Sequence, residues 1–500
     1  MTQAEPRPRA DKTHHEIVIV GSGFSGIGMG IALRKAGRHD FIILEKGGDV
    51  GGTWRENHYP GAACDVPSNM YSYSFEPNPD WSRSYSPQPE ILDYIRRCAS
   101  KYGVTPHLRF NREVVEARWS ADEEKWHLTT GNGEFHTCRF LLSAIGGLSR
   151  PALPKVKGLE QFKGPMFHSA NWQHDVNLEG KRVAVIGTGA SAIQFVPAIQ
   201  PRVGKLVLMQ RTPPWIIPKV DIAIAPRVQD LFRKLPLAQR LTRNGIYWVS
   251  ETFGLGFVHP KAMAGIEAWA RKHLKSQVAD PVLREKLTPN YAVGCKRVLF
   301  SNNYYPALSQ PNVEVVSAGV KEVTDRGVID ANGQLHEVDV IICGTGFDVQ
   351  DPLGPLKVYD EEGRELRERG SMSGYLGIAV PKLPNTFFLL GPNSGLGHNS
   401  IIFMIEAQIS YIVKCLDEMD RRRVSTIEVT EEASREFNED IQRQLKKMVW
   451  SAGGCKSWYL NERGENNTLW PGFTWKYWLR TRHPDFAHFA MAPSRVKQVS

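Results

Sequence analysis

Two short glycine-bearing runs carry the residues of this sequence best placed to do chemistry. The first is Gly21-Ser22-Gly23-Phe24-Ser25-Gly26, with Glu45 and Lys46 downstream. The second is Gly187-Thr188-Gly189-Ala190-Ser191-Ala192, with Arg211 and Thr212 downstream. In this spacing the first glycine turns the chain tightly, the second lets backbone amides approach a pyrophosphate, and the third small residue lets a helix pack on its strand. Glu45 and Arg211 each stand 24 positions after the first glycine of their run. A carboxylate in that slot accepts the ribose hydroxyls of an unphosphorylated adenosine, whereas a guanidinium pairs with a 2′-phosphate that a carboxylate would repel. The first run thus predicts an FAD-type site and the second an NADPH-type site, with hydride transfer between them.

Each run needs a strand before it and a helix after it. Glu16 to Val20 is mostly apolar and precedes Gly21, an amphipathic stretch runs on through Leu33, and Phe41 to Leu44 supplies the second strand. Arg182 to Ile186, a helix through Ala198 and the strand Leu206 to Met209 repeat the plan around Gly187. The expected class is α/β, with two Rossmann-like dinucleotide-binding domains. Residues from about 225 to 286 carry Leu, Ile and Trp at three- and four-residue spacings, which predicts a helical insertion into the second fold. Strand-like runs resume at Val313 to Val316 and Val338 to Ile342. The doubled nucleotide motif is the one internal repeat, and residues 490–500, polar and basic, are expected to fray.

The bulk properties narrow the rest. A chain of 500 residues exceeds one core and predicts two to four domains. With 41% apolar and 23% charged residues it is an ordinary globular composition. The stretch from Ile401 to Leu416 is broken by Glu406 and Gln408, so it reads as a buried or amphipathic helix, and the polar N-terminus makes a cytoplasmic enzyme the expectation. The net charge of +9 is dispersed, with no basic and aromatic stripe, so neither a nucleic-acid nor a membrane partner is expected. Seven cysteines, scattered and never close in sequence, argue for a reducing compartment, against a metal site, and against a dithiol-disulfide pair beside a flavin.

Between the two nucleotide motifs lies Phe162-x-Gly164-x-x-x-His168-x-x-x-Trp172, followed by Gln173. This pattern resembles the fingerprint of type I Baeyer-Villiger monooxygenases, within the flavin-containing monooxygenase superfamily; the family usually continues with Pro or Asp where Gln173 stands. His168 by itself reads first as a hydrogen-bonded linker or hinge histidine. Gly51-Gly52-Thr53-Trp54 through Tyr59-Pro60-Gly61 to Asp65 is similar to the family's flavin-side stretch. So are Ala144 to Ser149, Cys343 to Asp348 and Gly391-Pro392-Asn393, and Ser457-Trp458-Tyr459 resembles a segment that folds over NADP. The likeness extends from about Glu16 to Trp475.

The resemblance implies that FAD is held by Gly21, Gly23, Phe24, Ser25, Gly26, Glu45, Lys46, Gly52, Thr53, Trp54, Asp65, Tyr71 and Asn393. It implies that NADPH is held by Gly187, Thr188, Gly189, Ala190, Ser191, Arg211, Thr212, Lys296, Arg297 and Trp458. The reaction it implies consumes O2 and NADPH and inserts oxygen beside a ketone carbonyl through a C4a-peroxyflavin, giving an ester or lactone. Arg297 is expected to stabilise the developing anions, because a guanidinium stays charged and does not donate its proton, and Asp65 to orient it. Oxygenation of sulfur or nitrogen on the same scaffold is the alternative; a catalytically idle cofactor-binding scaffold is a third reading. The implied organisation is an FAD domain of residues 1–152 and 341–500, an NADP domain of 153–220 and 291–340, and a helical insertion of 221–290.

Overall fold

The computed structural model describes residues 13–258, 260–350, 353, 355–369, 372–455, 457, 459–461 and 463–494. Strand His14–Val20 pairs in parallel with Phe41–Leu44 on one side and Phe135–Ser143 on the other, at the centre of an eight-stranded sheet. Val114–Ser120 and Lys125–Thr130 extend that sheet as an antiparallel meander. The chain returns to it late, through Lys357–Tyr359 and Thr386–Phe388. Ile17–Val20 and Phe41–Leu44 are apolar at every position because both faces of the sheet are covered there. Ile17, Ile19 and Ile43 pack with the helix residues Ile27 and Ile31, while Val18, Val20, Ile42 and Leu44 pack into a separate core on the other face.

The second sheet has five parallel strands in the order Val313–Val316, Lys205–Met209, Arg182–Ile186, Val340–Cys343, Met166–His168. Its alternation is equally clean. Val183, Val185, Leu206 and Leu208 meet Phe195 and Val196 of the helix Ala192–Ile199, whereas Ala184, Ile186 and Val207 face Val323 and Val328 of a small antiparallel sheet. Strand Val340–Cys343, expected as a run from Val338 to Ile342, carries this sheet to residue 343.

Helices Pro226–Lys234, Pro236–Val258, Pro260–Gln277 and Pro281–Lys286 form the insertion. The parallel pair Ile216–Ile217 and Leu299–Phe300 closes its base. Among the described residues no helix is long and apolar enough to cross a membrane; Ile401–Arg422 is a helix with Gln408 buried at its middle. The expected fraying from residue 490 is corrected in part, because Phe489–Ala492 pairs antiparallel with Thr426–Val429. The cysteine reading is corrected too. Cys295 and Cys455, 160 positions apart, form a disulfide.

Candidate active site

The first glycine turn is built as its spacing requires. Gly21 has φ +103°, and a Cβ there would stand 2.7 Å from the Ala144 carbonyl oxygen, so only glycine fits. Gly26 is needed for packing: its Cβ would overlap the Gly21 carbonyl oxygen, and its role is to seat the helix Phe24–Lys35. Gly23 differs from both. A Cβ there would meet nothing nearer than the Gly52 Cα at 3.7 Å, leaving open space against the N-terminus of that helix.

That space belongs to a cleft lined by Gly21, Gly23, Phe24, Ser25, Glu45, Lys46, Gly52, Thr53, Trp54 and Tyr71 among others. Ten residues expected to hold FAD thus meet in one place. The Trp54 indole N–H donates to the Tyr71 hydroxyl at 3.0 Å, with the rings edge to face. Glu45 is buried, with Oε2 accepting from the Ser22 amide (2.9 Å) and hydroxyl (2.7 Å) and Oε1 accepting from the Gly47 amide (2.8 Å) and pairing with Arg55 (2.9 Å). Sequence reasoning did not single out Arg55, which follows Trp54 in the quoted stretch, nor Val114 and Ile401, which arrive from distant segments and carry no motif. A phosphate-bearing dinucleotide suits a helix N-terminus beside an open glycine cradle, and FAD fits the residues present.

Asn393 is placed elsewhere. Its amide donates to the carbonyls of Asn466 (2.8 Å) and Leu469 (3.1 Å), so it ties two backbone segments together away from the cleft lining.

At the second turn Gly187 has φ +112°, and a Cβ would lie 2.3 Å from the Gly344 carbonyl oxygen, while at Gly189 nothing lies within 4 Å. Gly189 and Ala190 are exposed, Ser191 and Thr188 half-buried, and the Thr188 hydroxyl donates to the Thr212 carbonyl at 3.0 Å. Arg211 is exposed, and Lys296 is half-buried with its ammonium 4.9 Å from the Tyr291 ring centre. Burial, and then the charge of Arg211, hold the Lys296 ammonium below the ordinary lysine range. Two cations within each other's field, neither paired with a carboxylate among the described residues, suit a 2′-phosphate.

Asp65 and Arg297 come together from 232 positions apart. Arg297 Nε donates to Asp65 Oδ2 at 2.7 Å. Burial opposes ionisation of Asp65, but Arg297 and, further off, Lys219 outweigh it, and the carboxyl sits below its usual range; Asp65 in turn raises Arg297. The two terminal nitrogens of Arg297 have no protein partner among the described residues. Tyr459 lies in the same field, its phenol pushed up to about 12 by burial against the Arg297 charge. Trp458 lies outside the described residues. Lys219 escaped the sequence reading, and Tyr459 was read only as part of the segment expected over NADP, since only the tertiary approach brings them to Asp65 and Arg297.

None of the fingerprint residues lines the cleft at the first glycine turn. His168 is buried, its Nδ1 accepts from the Ala170 amide at 3.1 Å, and burial lowers its pKa, which leaves a neutral imidazole whose proton is on Nε2. Trp172 packs edge-on to Phe167 and against Phe195 of the helix Ala192–Ile199. Phe162 joins the outer core of the second sheet, and a Cβ at Gly164 would meet the Asp339 carbonyl oxygen at 2.3 Å. All four fasten the linker to the second sheet. Next to them Gln194, also on the helix Ala192–Ile199, accepts from the Tyr59 hydroxyl (3.0 Å) and the Ala63 amide (3.3 Å) and donates to the Ala63 carbonyl (2.9 Å). This clasp joins the second nucleotide fold to the segment carrying Asp65.

Residues 18–245 match the family model described as pyridine nucleotide-disulphide oxidoreductase. A Baeyer-Villiger monooxygenase of Pseudomonas aeruginosa is 48% identical over 99% of this chain and 95% of its own length. A second, from Streptomyces coelicolor, is 43% identical over 97% of this chain and 94% of its own. The crystal structure of OTEMO in complex with FAD and NADP superposes with a TM-score of 0.87 at 27% identity, covering 96% of this chain and 99% of the other. The two glycine turns, the paired Asp65 and Arg297 and this likeness over nearly the whole chain agree: the chain belongs to the Baeyer-Villiger monooxygenases and is an FAD-dependent, NADPH-consuming monooxygenase with two Rossmann-like folds.

Proposed function

We propose that the chain inserts an oxygen atom beside the carbonyl of a small-molecule ketone, giving an ester or lactone, with Arg297 as the catalytic cation. Bound FAD and NADPH supply the redox chemistry, by which two electrons from NADPH send one atom of O2 into the product and the other into water. The observation that carries the reading is the directed guanidinium. Asp65 holds Arg297 by Nε at 2.7 Å, which leaves the two terminal N–H groups to donate elsewhere. Negative charge builds on the ketone oxygen during attack, and two preorganised donors that cannot surrender a proton stabilise it. Asp65, kept ionised, fixes the plane of the guanidinium and is a positioning residue.

Gly21 and Gly23 with the helix N-terminus take the FAD pyrophosphate, and Glu45 takes a ribose hydroxyl by exchanging one of its present donors, such as Arg55. Arg211 and Lys296 take the 2′-phosphate of NADPH. The late return of the chain from the second sheet suggests an NADP domain of residues 153–220 and 291–343, with the FAD domain resuming at 344. Purified enzyme given NADPH, O2 and a panel of ketones and sulfides, with product masses recorded, tests the proposal. Esters or lactones that disappear in Arg297→Ala are the expected result. Sulfoxides alone, made equally well by that variant, would assign the chain to heteroatom oxygenation instead.

A further inference from the structure

Eleven of the nineteen large apolar side chains that are exposed among the described residues fall between Val220 and Leu255, less than a tenth of the chain. Dispersed exposed apolar residues need no explanation, but a concentration of this kind does. The segment holds the insertion helices Pro226–Lys234 and Pro236–Val258. On the second helix Leu237, Leu241 and Trp248 follow one another at four and seven positions, so they share a face, and they are 59%, 62% and 59% exposed. Leu231 and Leu235, about half exposed, carry the apolar character across the junction of the two helices.

The exposed charge left without an ion-pair partner on the two helices, among the described residues, has one sign. Arg227, Lys234 and Arg240 are exposed and have no carboxylate partner among the described residues. Asp230, the exposed acid among them, is held by Arg233 at 2.6 Å. The inner face of the second helix is fixed to the FAD side of the molecule. Buried Glu251 accepts from Asn399 Nδ2 (2.6 Å) and the Thr474 hydroxyl (2.7 Å) and pairs with His398 (3.2 Å), immediately before the helix whose Ile401 and Ile405 line the FAD cleft. One helix therefore presents leucine and tryptophan outward while its other face braces the cofactor site.

A second copy of the chain suits this face poorly, because two-fold pairing would set the same cations against one another. An anionic lipid surface suits it well: leucines enter the acyl boundary, tryptophan prefers the headgroup level, and arginine and lysine meet phosphate. We propose that the helical insertion docks the enzyme peripherally on an anionic phospholipid bilayer, through Leu237, Leu241 and Trp248 flanked by Arg227, Lys234 and Arg240. Docking replaces the expectation of no membrane partner and requires no crossing helix. It would also present the enzyme where apolar ketones concentrate, a consequence resting on the substrate reading above, whereas the docking itself does not.

The full-length, FAD-loaded enzyme is centrifuged with vesicles of phosphatidylcholine alone and with vesicles containing one third phosphatidylglycerol. Several-fold more protein should sediment with the anionic vesicles, and salt at about 0.5 M should reverse most of it, since the Debye length falls to a few ångströms. Changing Leu237, Leu241 and Trp248 to Ser together should abolish sedimentation while leaving FAD content and turnover of a water-soluble ketone unchanged. Changing Arg227, Lys234 and Arg240 to Gln should weaken binding to anionic vesicles by roughly a hundredfold, from three headgroup attractions. Absent sedimentation with either vesicle, or equal sedimentation with both, overturns the proposal. So does a concentration-dependent dimer, in lipid-free sedimentation velocity, that the same three serine substitutions dissolve; that result would assign the face to a second copy. Docking can thus fail while ketone oxidation stands, and the reverse.

Discussion

Lys296 and Arg211 put two cations into one corner with no acid between them, and that corner should decide between NADPH and NADH. A hydrogen bond to a charged group is worth roughly 1.5–3 kcal/mol. Arg211→Ala should therefore weaken NADPH by roughly ten- to a hundredfold and leave NADH nearly unchanged, as binding titrations would report. Equal losses for both nucleotides would mean that Arg211 supports the fold. The pH dependence has a definite sign. Lys296 loses its proton at lower pH than an ordinary lysine, and a phosphate beside it raises that value, so binding favours the protonated form. The advantage of NADPH over NADH should shrink as pH rises into the alkaline range, earlier than free lysine chemistry would give, and Lys296→Met should remove that slope. At Arg297 loss of a preorganised donor costs about a hundred- to a thousandfold. Arg297→Ala should nearly abolish ester formation yet keep its flavin and oxidise NADPH with release of hydrogen peroxide, which stopped-flow absorbance and peroxide assays read directly. At this scale the nucleotide residues were legible, because their spacing follows from how a turn must meet a pyrophosphate. Lys219 and Gln194 were not, because the groups they act on at Asp65, Tyr59 and Ala63 lie more than a hundred positions away and no local pattern marks them.

Turns, helices and strands were read well where both the period and the punctuation were strong. Phe41–Leu44, Arg182–Ile186 and Val313–Val316 lie where their apolar runs predicted, and the insertion is helical as its spacing required. Misses fell where a strand is completed by a remote partner: Phe489–Ala492 is ordered by Thr426–Val429, and nothing in its own polar and basic surroundings announces it. The two glycines of the first turn differ in what a side chain would meet, in keeping with the separate roles their spacing assigned. Gly21→Ala forces a side chain onto the Ala144 carbonyl at a positive φ, so it should lower the unfolding temperature of the apoprotein and yield little flavin. Gly23→Ala meets only open space within the protein, so it should give apoprotein of nearly normal thermal stability that fails to take up FAD. Equal melting of the two variants would sink that division. The Gln194 clasp makes a further element-scale prediction, since it joins the helix Ala192–Ile199 to the Tyr59–Asp65 segment through three hydrogen bonds. Gln194→Leu should bind FAD and NADPH nearly normally while slowing flavin reduction by NADPH, visible as a lower rate constant at saturating NADPH; a loss confined to NADPH affinity would make Gln194 a local support of its own helix.

The whole molecule is held across its domains by a link that sequence spacing concealed. Cysteines 160 positions apart give no local signature, and pairing could be seen only once Cys295 and the Gly453–Cys455 turn were folded against each other. The disulfide stands two residues before Arg297 and four before Tyr459, so it spans the place where the expected catalytic cation meets the C-terminal part of the chain. Closing a loop of this length removes a large share of unfolded-state freedom, on the order of 5 kcal/mol in the chain-entropy description. Little else joins these two segments covalently, and the remaining five cysteines are buried thiols. Reduction with a phosphine, or Cys455→Ser, should therefore lower the unfolding midpoint of the FAD-loaded enzyme by several degrees, while phosphine should not lower the midpoint of Cys455→Ser any further. If the link also steadies Arg297, the reduced enzyme should divert a larger share of its NADPH into hydrogen peroxide, because ester formation needs the guanidinium in place and NADPH oxidation does not. Peptide mapping without reductant, calorimetry with and without phosphine, and the ratio of ester to peroxide check the three parts separately. An unlinked pair in freshly purified, unreduced protein would remove the stability argument, and a linked pair whose reduction leaves the product ratio untouched would confine the disulfide to stability alone.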